Sequence, residues 1–124
     1  MSKRLLICDD SAFSRSTIRK AIPEGLNLET TETSSGEDAV RLCVTGEVDI
    51  LLLDLNMPGI DGFEVLQQLR DQGFSGAVVV ITANIQSAPA QRAKALGARV
   101  VVQKPINAER LAQLFTYLDG EASP

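Results

Sequence analysis

Five short apolar runs, each followed by a longer amphipathic stretch, constrain the fold of this chain more than any other feature. Residues 4–8 (RLLIC), 28–33 (LETTET), 49–54 (DILLLD), 77–82 (AVVVIT) and 99–102 (RVVV) predict five strands. Helical periodicity fills the gaps at 11–22, 35–45, 61–71 and 88–96, with a fifth stretch at 107–118. In that last stretch Leu111, Leu114, Phe115 and Leu118 fall on one face, and Asn107 stands at the N-cap position. Pro23 closes the first helix and Gly97 follows the fourth, as helix-end chemistry requires.

Three strands are apolar at nearly every position, the pattern of strands buried on both faces of a parallel sheet. The second alternates and carries Glu29 and Glu32, which assigns it to an edge. Right-handed crossovers leave few ways to join five such units. The expected fold is α/β: a doubly wound five-stranded parallel sheet of order 2-1-3-4-5, flavodoxin-like, with helices on both faces. Residues 1–124 form a single domain in this reading, with 119–124 as a short tail.

Composition removes several functional classes. Twelve Lys and Arg scattered among sixteen Asp and Glu give a net charge of -4, without the basic stripe that nucleic acid demands. No apolar run reaches membrane-spanning length, and the run of four near the amino terminus is too short for a signal peptide, so a cytoplasmic location is expected. There are 0 histidines, which excludes Ser-His-Asp and Cys-His catalysis and imidazole metal sites. Cys8 and Cys43 sit in apolar or helical patterns and read as small buried hydrophobes. Chemistry must therefore run on carboxylates, hydroxyls and lysine.

In a sheet of this order, ligands bind outside the carboxyl ends of the strands, between the first and third. Asp9 and Asp10 end the first strand, Asp54 the third and Thr82 the fourth, while Lys104 follows the fifth. Singly, each has a plain structural role. An Asp pair starts a helix, Asp54 opens the turn Asn56-Met57-Pro58-Gly59, Thr82 is a β-branched strand residue and Lys104 a surface lysine. Together they place three carboxylates, a hydroxyl and an ammonium at one rim. Crowded carboxylates repel unless a cation sits among them, and an all-oxygen donor set favours magnesium. A carboxylate beside such an ion can attack phosphorus to give an aspartyl phosphate, with a hydroxyl and a lysine stabilising the transferring group.

The paired acids in ICDDS, the acid in LLLDLNMPGIDG, the threonine in VVVITA and the lysine in VVQKP resemble the receiver domain of two-component response regulators across essentially the whole chain. The start CDDSAFSR looks most similar to stand-alone chemotaxis receivers. The resemblance implies that Asp54 accepts a phosphoryl group from a histidine kinase or phosphotransfer protein. It implies magnesium on Asp10, Asp54 and the Asn56 backbone carbonyl, with Asp9 helping through water, and Thr82 and Lys104 on the phosphoryl oxygens. It implies a cis Lys104-Pro105 bond, and places Asn56 and Asn84 where phosphoryl lifetime is modulated. Arg15 and Arg19 either face the phosphodonor or form a solvated basic face.

One departure stands out: the family usually carries Tyr or Phe three residues before the lysine, and here that residue is Val101. A valine cannot swing as a ring does, so the aromatic part of the family's switch is missing. The expected function is phosphorylation-controlled signalling by contact with an output protein, since the chain shows no output domain. A phosphate sink for a shared kinase is a variant of it. A magnesium-dependent phosphohydrolase of the haloacid dehalogenase type is the enzymatic alternative, but such enzymes carry the nucleophile on the first strand with a second Asp two residues on. A flavin mononucleotide binder needs an uncharged phosphate loop where Asp9 and Asp10 stand.

Overall fold

The computed structural model describes residues 3–57, 59–83 and 86–122, with side chains described through Leu118. Five strands alternate with five helices: β1 (Lys3–Cys8), α1 (Ala12–Ala21), β2 (Leu28–Thr33), α2 (Gly36–Val44), β3 (Ile50–Leu53), α3 (Gly62–Asp71), β4 (Ala77–Thr82), α4 (Ser87–Ala95), β5 (Val100–Gln103) and α5 (Ala108–Ala122). The strands form one sheet of order β2-β1-β3-β4-β5. Every neighbouring pair is parallel, with Leu5 opposite Ile50, Leu53 opposite Val80 and Thr82 opposite Gln103.

Burial follows from the sequence. All four residues of β3 and all six of β4 are buried, because these central strands are covered on both faces. Strand pleating sends alternate side chains to opposite layers. Leu6, Cys8, Leu51, Leu53, Val78 and Val80 meet Ala39 and Cys43 of α2, Val65, Leu66 and Leu69 of α3, and Ala93 of α4. Leu5, Ile7, Ile50, Leu52, Val79 and Ile81 meet Ile18 of α1 and Leu111, Leu114, Phe115 and Leu118 of α5. Each fully buried Leu or Ile contributes about 1.5–3 kcal/mol relative to exposure, so these two layers dominate stability. Cys8 and Cys43 are free, buried members of one layer, and burial pushes both thiols up to about 12.

Helix starts are fixed by side chains at the carboxyl-end rim of the sheet and beside it. Ser11 accepts from the Ser14 N–H at 3.1 Å, Asp61 from Glu64 at 3.0 Å and Asn107 from Arg110 at 2.8 Å. The fourth helix differs. Gln86 makes no side-chain cap, and Ala93 is the buried residue of α4, as expected of an Ala-rich face with little to bury.

The fifth helix runs beyond its predicted span of 107–118. Residues 119–122, read as the start of a short tail, continue α5 to Ala122. The segment Asp119 to Ala122 contains no proline, and its one glycine costs only about 1 kcal/mol, too little to end a helix already anchored by Leu111, Leu114 and Leu118. Residues 123 and 124 lie outside the described residues.

Candidate functional site

The site begins one residue beyond the strands. Asp9 donates its N–H to the Thr33 carbonyl at 3.1 Å, Asp54 to the Cys8 carbonyl at 3.0 Å and Lys104 to the Thr82 carbonyl at 2.8 Å. Each of these bonds extends a parallel ladder by one step, so the sheet itself carries the polar residues to its rim. Thr82 closes β4 and is buried. Asp10, Asp9 and Asp54 each present a carboxylate oxygen, and these oxygens all lie within 4.8 Å of one another.

The three acids are not equivalent. Asp9 is 1% exposed and both its oxygens are engaged: Oδ1 accepts from the Ser11 N–H at 2.9 Å and Oδ2 from Lys104 Nζ at 2.8 Å. Burial pushes its carboxyl up, but the hydrogen bonds from Lys104, Ser14 and Ser11 and the ammonium charge outweigh it, so Asp9 lies below the usual carboxylate value. Asp54 is 7% exposed, and its Oδ1 accepts from the Asn56 N–H at 3.3 Å. Its Oδ2 lies 3.8 Å from Lys104 Nζ. Burial lifts the Asp54 carboxyl above its usual value, with Asp9 and Asp10 adding repulsion, and neither Lys104 nor the Asn56 N–H reverses the shift. Asp10 is exposed, and among the described residues no hydrogen bond holds its carboxylate.

Such a donor set suits a hard divalent cation: carboxylate oxygens without sulfur or imidazole, two of them on groups with free coordination capacity. The loop from Asp54 is braced from below by α3. A Cβ on Gly62 would stand 2.6 Å from Leu55 Cα and 2.8 Å from the Asp54 carbonyl oxygen, so only glycine permits this approach. The Gly62 N–H also donates to the Leu55 carbonyl at 3.0 Å.

The structure therefore gathers Asp9, Asp10, Asp54, Thr82 and Lys104 at one rim, with Asn56 adjoining. The Lys104-Pro105 bond is cis. Asn84 and Pro58 lie outside the described residues. Val101 is partly buried and packs against the layer shared by α2, α3 and α4. A cavity of about 820 Å³ opens at the opposite end of the strands, lined by Arg4, Asp49 and Ala77 among others, and contains none of the acid cluster.

Arg15 and Arg19 do not form a free basic face. Arg15 Nε donates to Glu32 Oε1 at 3.1 Å and its Nη1 to the Asp9 carbonyl at 2.6 Å. Arg19 reaches Glu32 Oε2 at 2.6 Å and the Thr30 carbonyl at 3.2 Å. Both are committed to the edge strand β2 because Glu32 points toward α1. The alternation of β2 signalled that Glu32 was available, but the partner became visible only with the helix docked.

The fold is the doubly wound, flavodoxin-like arrangement of receiver domains. The response regulator receiver domain profile matches residues 5–116, and the chain belongs to that family. It is 37% identical over 115 residues to protein-glutamate methylesterase/protein-glutamine glutaminase 5 of Myxococcus xanthus, covering 90% of this chain and 33% of that protein. It is 35% identical over 79 residues to the nitrate/nitrite response regulator NarL of Escherichia coli, covering 63% of this chain and 37% of that protein. The chain thus spans about a third of the length of these curated relatives. Among solved structures, the receiver domain of AraT, a response regulator from Geobacillus stearothermophilus, superposes with a TM-score of 0.86 at 31% identity, covering 98% of this chain and 96% of that one. CheY in the CheX-CheY-BeF3-Mg complex of Borrelia burgdorferi gives 0.83 at 26% identity, covering 94% of this chain and 89% of that one.

Proposed function

We propose that Asp54 is the phosphoacceptor of a two-component phosphorelay, taking a phosphoryl group from a histidine kinase or phosphotransfer protein in a magnesium-dependent reaction. The observation that carries this reading is the convergence of Asp9, Asp10 and Asp54 within 4.8 Å beside Lys104. An Asp54 carboxylate oxygen attacks phosphorus, the bond from phosphorus to the donor imidazole nitrogen breaks, and the imidazole leaves with that electron pair. Asp10, Asp54 and the Asn56 carbonyl would hold the ion directly. Asp9, with both oxygens already engaged, acts through water. Magnesium, when bound, supplies positive charge against the phosphoryl oxygens.

Lys104 trades part of its contact with Asp9 and Asp54 for a phosphoryl oxygen, and Thr82 offers its hydroxyl to another. The elevated pKa of Asp54 fits a carboxylate that is poorly compensated until a cation arrives. The phosphorylated domain then signals by contact with an output protein, through a population shift between two conformations. The presence of BeF3 and Mg in the Borrelia burgdorferi CheY complex supports this chemistry by analogy.

The test is intact mass after incubation with magnesium and acetyl phosphate. One phosphoryl group is expected on the wild-type chain, none on Asp54→Asn, and none when the metal is chelated. A phosphoryl group on Asp54→Asn would refute the assignment.

A further inference from the structure

We infer that Arg15 is a positioning residue for the metal-binding acid pair, acting through the Asp9-Asp10 peptide plane; this rests on the magnesium reading of the site. Among the described residues no hydrogen bond holds the Asp10 carboxylate, so apart from its own side-chain torsions only the backbone places it. The peptide unit joining Asp9 to Asp10 is planar, so holding the Asp9 carbonyl oxygen also holds the N–H and Cα of Asp10, the base from which its side chain turns about φ, χ1 and χ2. That oxygen accepts from Arg15 Nη1 at 2.6 Å.

Arg15 is itself anchored. Its Nε donates to Glu32 Oε1 at 3.1 Å, and Arg19 holds the other oxygen of the same carboxylate at 2.6 Å. On the far side, Asp9 is tied to the Thr33 carbonyl at 3.1 Å, on the strand that carries Glu32. A planar guanidinium with donors in a rigid fork spans Glu32 and the Asp9 carbonyl at once; a lysine, with one compact ammonium, cannot. A carboxylate on β2, outside the acid cluster, thus reaches the metal-binding pair through one arginine. Partners that orient a ligand without touching the ion are worth about 10–100-fold in metal affinity where they have been removed.

Electrostatics predicts the opposite sign. Removing a positive charge near three carboxylates strengthens their attraction for a cation, so a purely coulombic Arg15 would weaken magnesium binding and its loss would tighten it. The sign of the change therefore separates the two roles.

The experiment titrates Mg²⁺ alone into the full chain and reads the dissociation constant from amide chemical shifts, for wild type, Arg15→Ala, Arg15→Lys, Glu32→Gln and Asp10→Asn. Arg15→Ala and Arg15→Lys are expected to raise the dissociation constant by about tenfold, with a smaller rise for Glu32→Gln. An unchanged or lower value in the arginine variants overturns the inference. If Arg15→Ala fails to fold, judged by the dispersion of its core amides, Arg15→Lys and Glu32→Gln carry the test. If wild type shows no magnesium response, or Asp10→Asn matches it, the metal reading itself fails, an outcome distinct from failure of the Arg15 role.

Discussion

Lys104 holds Asp9 at 2.8 Å and stands 3.8 Å from Asp54, so one ammonium serves two buried acids. Lys104→Ala leaves Asp9 without its charged partner, and hydrogen bonds to charged groups are worth about 1.5–3 kcal/mol, so a loss of about 2 kcal/mol is expected in urea unfolding at pH 7. The pH dependence has a definite sign. Asp9 is held below its ordinary value of 3.8, so its contribution is present above that pH and fades as pH falls through the depressed folded value. The gap between wild type and Lys104→Ala should therefore narrow on acidification below 3.8. A gap that is the same at pH 7 and at pH 3 would contradict this account. Of these residues, Asp9, Asp10, Asp54, Thr82 and Lys104 were legible in the sequence, because strand direction alone brings strand ends together. The difference between Asp9 and Asp10 was not, since it depends on which carboxylate Lys104 and Ser11 reach.

Strands and helices were readable wherever burial imposes a period. The predicted spans 28–33 and 77–82 coincide with β2 and β4, and the central apolar runs became the central strands. The end of α5 was not readable, because Gly120, a residue type common at helix ends, lies inside the helix, which runs on to Ala122. Gly62 also escaped notice. A glycine beside an N-cap Asp looks like turn composition, while its real constraint is the Asp54-Leu55 backbone lying against it. Gly62→Ala should cost about 1–3 kcal/mol by overpacking, more than a glycine replaced inside a helix otherwise would, since Ala is normally the better helix former. Thermal and urea unfolding of Gly62→Ala measure this directly; a stabilised variant would show that the loop yields freely.

For the molecule as a unit, the acid rim costs stability and a cation should restore it. Asp54 titrates above its ordinary value in the fold, so the stability it contributes is lost as pH rises from 3.8 through its folded pKa. An ion that binds only the folded chain adds stability by mass action, about 2.7 kcal/mol at a hundredfold excess over its dissociation constant. Magnesium should therefore raise the urea midpoint of wild type and leave Asp10→Asn nearly unmoved, a comparison made at constant ionic strength with calcium-free buffers. A midpoint indifferent to magnesium would remove the ion from the account. The ladder bonds that carry Asp9, Asp54 and Lys104 beyond their strands have a consequence of their own. The three residues share a common mechanical reference, the sheet, and have few independent degrees of freedom among them. A displacement imposed on Thr82 passes to Lys104 through the bond from its N–H to the Thr82 carbonyl, and one imposed on Cys8 passes to Asp54 in the same way. The backbone at the rim is thus a linked frame, and substitutions at its members should be read as changes to a single part with several attachment points.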